Sequence, residues 1–181
     1  INHVNKKYDY GIYIDQMIGE HPDTKLTGFK TNINVKKFKE ELDIFFKDFE
    51  KKTKIKILYS AHPKRKKTYI QNRKLDFSGT QSLIKNAKIV FAHESAAISY
   101  AVIFKKPLVI IQSNNNKTPE YIERSNHIAN MLKKKIFNIG DKIKKKDLKN
   151  FFLVNNIDYN NYINNFCRHP RSKKIKISDT L

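Results

Sequence analysis

The sequence is poor in the residues that usually announce a function. It has one cysteine, Cys167, among 181 residues, which excludes an intramolecular disulfide and suits a reducing compartment. Glycine occurs only five times, and neither a P-loop nor a G-x-G-x-x-G stretch is present, which argues against ATPases and ordinary dinucleotide enzymes. The six histidines are scattered, with no HxxxH pair and no cysteine partner, so no metal-ligand set and no cofactor is indicated. No apolar run approaches the roughly 20 residues needed to cross a bilayer, and nothing resembles a signal peptide. Acidic residues are also scarce, 17 against 37 lysines and arginines, for a formal charge of +20.

That charge invites a polyanionic partner. Lysine greatly outnumbers arginine, however, and asparagine and isoleucine are abundant too. An AT-rich coding sequence gives this skew whatever the function. Arginine, with its bidentate fork, is the usual residue for specific phosphate and base contacts. The lysine triplets at 133–135 and 144–146 read as solvated faces, and no specific nucleic-acid partner is expected. A chain of this length, 39% hydrophobic, can bury one sizeable core. It opens on Ile1 rather than Met, which reads as a segment of a longer protein.

What is present is an alternation of strands and helices. "YDYGIYID" at 8–15 is a strand ending on an acid. Val35, Phe38, Leu42, Phe45 and Phe49 fall at helical spacing within 34–51, with Asn34 placed to cap. "IKILYSAH" at 55–62 is a second strand, halted by Pro63. A basic connection leads to a short "LDF" segment and then to a helix beginning near Ser78–Thr80. "KIVFA" at 88–92 is a buried strand, followed by a helix expected over 94–104. "PLVIIQ" at 107–112 is apolar on both faces, as a covered parallel strand requires. A helix over 118–133, a strand over 135–140 and two closing helices with a basic tail (145–181) complete a single domain over 1–181. The pattern specifies an α/β fold, a Rossmann-like doubly wound parallel sheet with helices on both faces. Strand order is not readable.

In such sheets ligands collect beyond the carboxyl ends of the strands. His62, Ser78–Thr80, His93–Ser95 and Gln112 all follow predicted strands, which places them on one edge. Helices starting at Thr80 and Glu94 would offer free N–H groups to an anion, with Ala96 and Ala97 small enough for close approach. A diphosphate is the candidate ligand. Each residue also has an ordinary structural role available. Ser95 serves equally as an N-cap, His93 as a core histidine, and His62 as a strand terminator before proline.

The stretches "YIDQMIGEHPD" (13–23), "YSAHPK" (59–64) and "FSGTQSLIKNAKIVFAHESAAISYAVIFKKPLVII" (77–111) resemble the C-terminal half of bacterial surface-carbohydrate glycosyltransferases of the GT-B type. They resemble capsule and lipopolysaccharide biosynthesis proteins and, more distantly, nonhydrolysing UDP-N-acetylglucosamine 2-epimerases. The resemblance implies a nucleotide-sugar cleft lined by His62, Pro63, His93 and Ser95, with Ser78, Gly79 and Thr80 from the intervening helix start. Glu94 and Ala96 belong to the same turn, and Lys64 and Arg65 would add positive charge. It further implies glycosyl transfer without a metal, a glycan or lipid-linked acceptor, an N-terminal domain supplying the catalytic base, and a cytoplasmic location with peripheral contact at the inner membrane. His62 alone is a candidate for a chemical role. Where many such enzymes carry an acidic residue to hold ribose, this sequence has Tyr100. Either Glu94 substitutes, or ribose is held elsewhere, or donor binding is lost.

If the lysine excess is compositional, duplex DNA binds this chain weakly, without sequence preference and with a steep salt dependence. Fluorescence anisotropy at 50 and 200 mM salt should show affinity falling by about two orders of magnitude or more. A sequence-selective complex that survives at the higher salt would contradict this.

Overall fold

A computed structural model describes residues 9–168. The basic tail beyond, like Tyr8 of the first expected strand, lies outside the described residues. The strands are β1 (Tyr10–Ile14), β2 (Lys56–Ser60), β3 (Tyr69–Ile70), β4 (Arg73–Asp76), β5 (Val90–Ala92), β6 (Leu108–Gln112) and β7 (Ile136–Asn138). The helices are α1 (Asp23–Leu26), α2 (Val35–Thr53), α3 (Thr80–Asn86), α4 (Ile98–Ile103), α5 (Pro119–Met131), α6 (Lys145–Phe151) and α7 (Asn156–Tyr162), the last running into a π-helical turn over Ile163–Cys167.

The strands form one seven-stranded sheet in the order β3-β4-β2-β1-β5-β6-β7. All neighbours pair in parallel except β3 with β4. Counting the parallel strands in chain order, the sequence across the sheet is 3-2-1-4-5-6, the Rossmann arrangement, whose winding reverses between β1 and β5. The fold expected from the alternation is therefore the fold observed.

Two apolar layers explain why these segments pack as they do. On one face α2 presents Phe38, Leu42, Phe45, Phe46 and Phe49 to Tyr13, Ile57, Tyr59, Phe91 and Ile111. On the other, α3, α4, α5 and α7 cover Ile12, Ile14, Val90, Ala92 and Ile110. Successive residues of β1 and β5 thus point to opposite layers, and both layers are apolar. α2 starts where expected, with the Asn34 side chain accepting from the Lys37 N–H at 3.0 Å. It ends at Lys54, which turns left-handed at φ 64°.

Two elements differ from expectation. The basic connection after β2 contains a tight hairpin, β3–β4, rather than a plain loop. Arg73 in that hairpin bonds Asp43 (3.0 Å) and Glu50 (2.9 Å) on α2, which locks the sheet edge to the helix. The helix expected from Glu94 begins only at Ile98. Residues 94–97 instead form a turn in which Ile98 N–H bonds Ser95 O and Ser99 N–H bonds Ala96 O. Among the described residues, no helix is long and apolar enough to cross a membrane.

Gly11 sits at the centre of the sheet, where a Cβ would meet Ile57 Cδ1 and Ile89 Cγ2, each at 2.7 Å. Gly11→Ala should therefore overpack the α2-side layer, to which both isoleucines belong, and lower stability by about 2 kcal/mol, measured by urea denaturation. A neutral substitution would mean that the isoleucines repack freely.

Candidate functional site

The reversal between β1 and β5 leaves a crevice at the carboxyl ends of those strands, and the residues around it are tied together across the chain. Asp15, immediately after β1, is buried and receives the Arg65 guanidinium on both oxygens, through Nε and through Nη2 at 2.9 Å. Its Oδ1 also accepts from the Met17 N–H at 3.0 Å. Arg65 extends to Glu20 at 3.0 Å, which in turn pairs with Lys39 at 2.6 Å. Burial works against the Glu20 carboxylate, but hydrogen bonds from Lys39 and Arg65 outweigh it and hold its pKa below the ordinary value.

Gln16, the next residue, reaches across the reversal. Its Oε1 accepts from the backbone N–H groups of His93 (3.1 Å) and Glu94 (3.0 Å), and its Nε2 donates to the Glu94 carbonyl. One side chain therefore fixes the 93–95 turn against the end of β1.

The histidines of two His-Pro turns face each other here. His21 Nδ1 accepts from the Asp23 N–H and His62 Nδ1 from the Lys64 N–H, both at 3.2 Å. Their rings meet edge to face at 4.9 Å. With Nδ1 engaged as an acceptor, each ring carries its proton on Nε2 and offers it as a donor. Burial, and then the neighbouring His21, keep the His62 pKa below its usual value. Lys64 Nζ is held by Asp23 at 2.7 and 2.8 Å, so the two turns are also clasped by an ion pair.

These groups enclose a cleft of about 530 Å³ whose wall includes Gln16, His21, His62, Ser95, Tyr121 and Arg124, with Glu94 and Ala96. Of the residues singled out from sequence, His62, Glu94, Ser95 and Ala96 are brought together. The others are placed differently. The His93 ring is buried behind the cleft, against Tyr13 (5.8 Å) and Phe38 (5.4 Å). Burial lowers its pKa to about 4, so it is neutral. The positive charge expected from Lys64 and Arg65 is spent on Asp23, Asp15 and Glu20. Ser78 bonds Asp76 (2.6 Å) and Thr80 bonds Ser60 (2.7 Å), and with Gly79 they are not part of this wall. Tyr100 stacks on Phe104 within α4. The helix termini also offer less than expected: α3 has seven residues and α4 six, too short for a strong dipole. Imidazole N–H groups, the Ser95 hydroxyl and Arg124 supply the donors instead.

Glu94 stands out electrostatically. Its side chain is 9% exposed, Arg124 approaches one oxygen at 3.7 Å, and Oε2 is buried without a partner among the described residues. Burial raises its pKa to about 7 against the pull of Arg124. Gln16, His21, Tyr121 and Arg124 were not foreseen as site residues. The available signal was the His-Pro pair at 21–22 and again at 62–63, each after a strand.

No family model and no curated protein matches the sequence. Among solved structures, the chain is similar to the glycotransferase of kitacinnamycin, with 12% identity and a TM-score of 0.43. The match covers 81% of this chain and 34% of that one, so this chain spans about a third of that protein's length. A likeness this distant carries no argument about activity.

A carboxyl whose pKa is raised on folding stabilises the protein at acid pH, and that contribution is lost as pH rises through about 7. Glu94→Gln should therefore be more stable than the parent at pH 8, by about 1–2 kcal/mol after allowing for solvent screening at the open cleft. Paired urea titrations at pH 8 and pH 4.5 should show the difference closing at the lower pH. A difference independent of pH would contradict the burial of an ionisable Glu94.

Proposed function

We propose that this chain is the nucleotide-sugar-binding half of a glycosyltransferase, of the kind that builds bacterial surface polysaccharides such as capsule or lipopolysaccharide. The observation that carries the reading is a polar cleft at the sheet reversal whose wall holds two histidines that accept at Nδ1 and so present Nε2–H as a donor. Such donors, with the Ser95 hydroxyl and Arg124, suit a diphosphate that gains charge as it leaves, and stabilise it without a metal. The sequence resemblance to GT-B enzymes supplies the reaction class. The acceptor is a glycan or a lipid-linked glycan, and the general base comes from a partner domain, so the isolated chain binds donor without turnover. The protein works in the cytoplasm, at the inner face of the membrane.

A second reading is favoured by one observation, the carboxyl of Glu94 that titrates near neutrality. An epimerase-like enzyme needs acid/base carboxylates in this cleft. Conversion of a UDP-sugar to its 2-epimer with no acceptor present would select it. The folded-in aromatic residues argue against a nucleic-acid module, which needs them exposed for stacking.

Calorimetric titration should show a nucleoside diphosphate, UDP or GDP, binding more tightly than its nucleoside. Ser95 Oγ accepts from the Ala97 N–H at 3.2 Å, a role that aspartate keeps. Ser95→Asp should thus melt like the parent yet lose nucleotide affinity by at least about tenfold, through charge repulsion at the phosphate. Unchanged affinity in the folded variant would refute the assignment.

A further inference from the structure

Glu94, Ser95, Ala96 and Arg124 have a second side. The same four residues form part of the wall of another cavity, of about 750 Å³, enclosed with α5 and Tyr162. The polar stripe of α5 lines it: Glu120, Glu123, Asn126 and Asn130 are exposed residues of one helix, spaced so that they share the cavity-facing side.

The charge of this wall runs against the rest of the molecule. In a chain with 37 basic and 17 acidic residues, the cavity gathers Glu94, Glu120 and Glu123 around Arg124. A phosphate would be repelled here. A metal ion is no better served, because among the described residues no group of three or more histidine, cysteine, aspartate or glutamate side chains is placed to hold one. Carboxylates and amides side by side are, by contrast, the acceptors and donors that neutral hydroxyls satisfy. Exposed glutamates and asparagines on a helix are ordinarily just a solvated face. What sets this one apart is Glu94, with a side chain 9% exposed and an Oε2 that is buried and has no hydrogen-bond partner among the described residues. A buried acceptor left open at a cavity wall is costly unless a ligand completes it.

We propose that the cavity between the 94–97 turn and α5 binds a saccharide, with Glu94 Oε2 accepting a hydrogen bond from a sugar hydroxyl and the α5 stripe contacting the remaining hydroxyls. This deepens the reading above and rests on it in one respect: the phosphates occupy the histidine-lined cleft, and the sugar crosses the Glu94–Arg124 partition. The saccharide is either the sugar of the nucleotide donor or a free glycan, two sources of the same hydroxyl chemistry.

The test is calorimetric titration of the chain, Glu94→Ala and Glu123→Arg with UDP, UDP-glucose, UDP-N-acetylglucosamine, GDP, GDP-mannose and free maltotetraose. Glu123 is exposed on α5, so its substitution does not threaten folding. If the donor sugar is the ligand, at least one nucleotide sugar binds more tightly than its nucleotide. That gain, taken in each variant against its own nucleotide, falls at least about tenfold in both, as expected for hydrogen bonds to a charged acceptor, while Glu123→Arg, which lies outside the histidine-lined cleft, leaves UDP and GDP affinities within twofold. If a free glycan is the ligand, maltotetraose binds and both variants weaken it by a similar factor. Nucleotides that bind with no sugar increment, or with one that the variants leave intact, would overturn the saccharide cavity and leave the nucleotide cleft standing. Glu94-dependent maltotetraose binding without any nucleotide binding would uphold the cavity and overturn the nucleotide reading. Binding of tetralysine at this face, lost in Glu123→Arg and with no saccharide effect, would replace the sugar by a basic peptide and overturn the proposal.

Discussion

The cleft hangs from one buried ion pair. Asp15 and Arg65 lie at the ends of adjacent strands, and each is almost wholly shielded from water. Removing two charges from solvent costs several kcal/mol per ion, roughly, and only a bidentate geometry with further hydrogen bonds offsets it. Here the Met17 N–H and Glu20 complete the set. The pair is thus weak evidence for stability and better evidence for specified geometry. Because Arg65 follows the His62 turn and Asp15 precedes the His21 turn, holding the pair sets how the two histidines meet. Gln16, next to Asp15, is aimed by the same anchor at the backbone of Glu94.

Much of the fold could be read directly from local pattern. β5 and β6 are apolar on both faces, and the phenylalanines of α2 fall on one stripe, so neither needed distant information. The β3–β4 hairpin was hidden because its inward residues are only Ile70 and Leu75 among lysines and arginines. The late start of α4 has a similar origin. Ala96 and Ala97 are good helix formers, but Gln16 already holds the 93–94 backbone in place from across the sheet, and tertiary contact overrode propensity.

The site was legible as an edge and not as a set of contacts. Position after a strand gathered His62, Glu94, Ser95 and Ala96, which the fold places on one cleft wall. It could not tell that the His93 ring points back into the α2 layer, because β5 is buried on both faces and its alternation gives no cue. Arg65 looked like a free cation because its partner lies 50 residues earlier. The roles of Gln16 and Arg124 depend in the same way on neighbours that only the folded sheet supplies.

The sheet's outer strands are short. β3 contributes two residues and runs antiparallel, and β7 contributes three. Among the described residues, neither flank offers enough unpaired backbone for another chain to continue the ladder, which disfavours edge-to-edge aggregation. It also narrows how the domain can be joined to anything larger. A neighbour would then meet it through loops and side chains rather than by lengthening its sheet, and on the function proposed above the rim of loops around the cleft would serve both as the ligand's door and as the seam of any assembly.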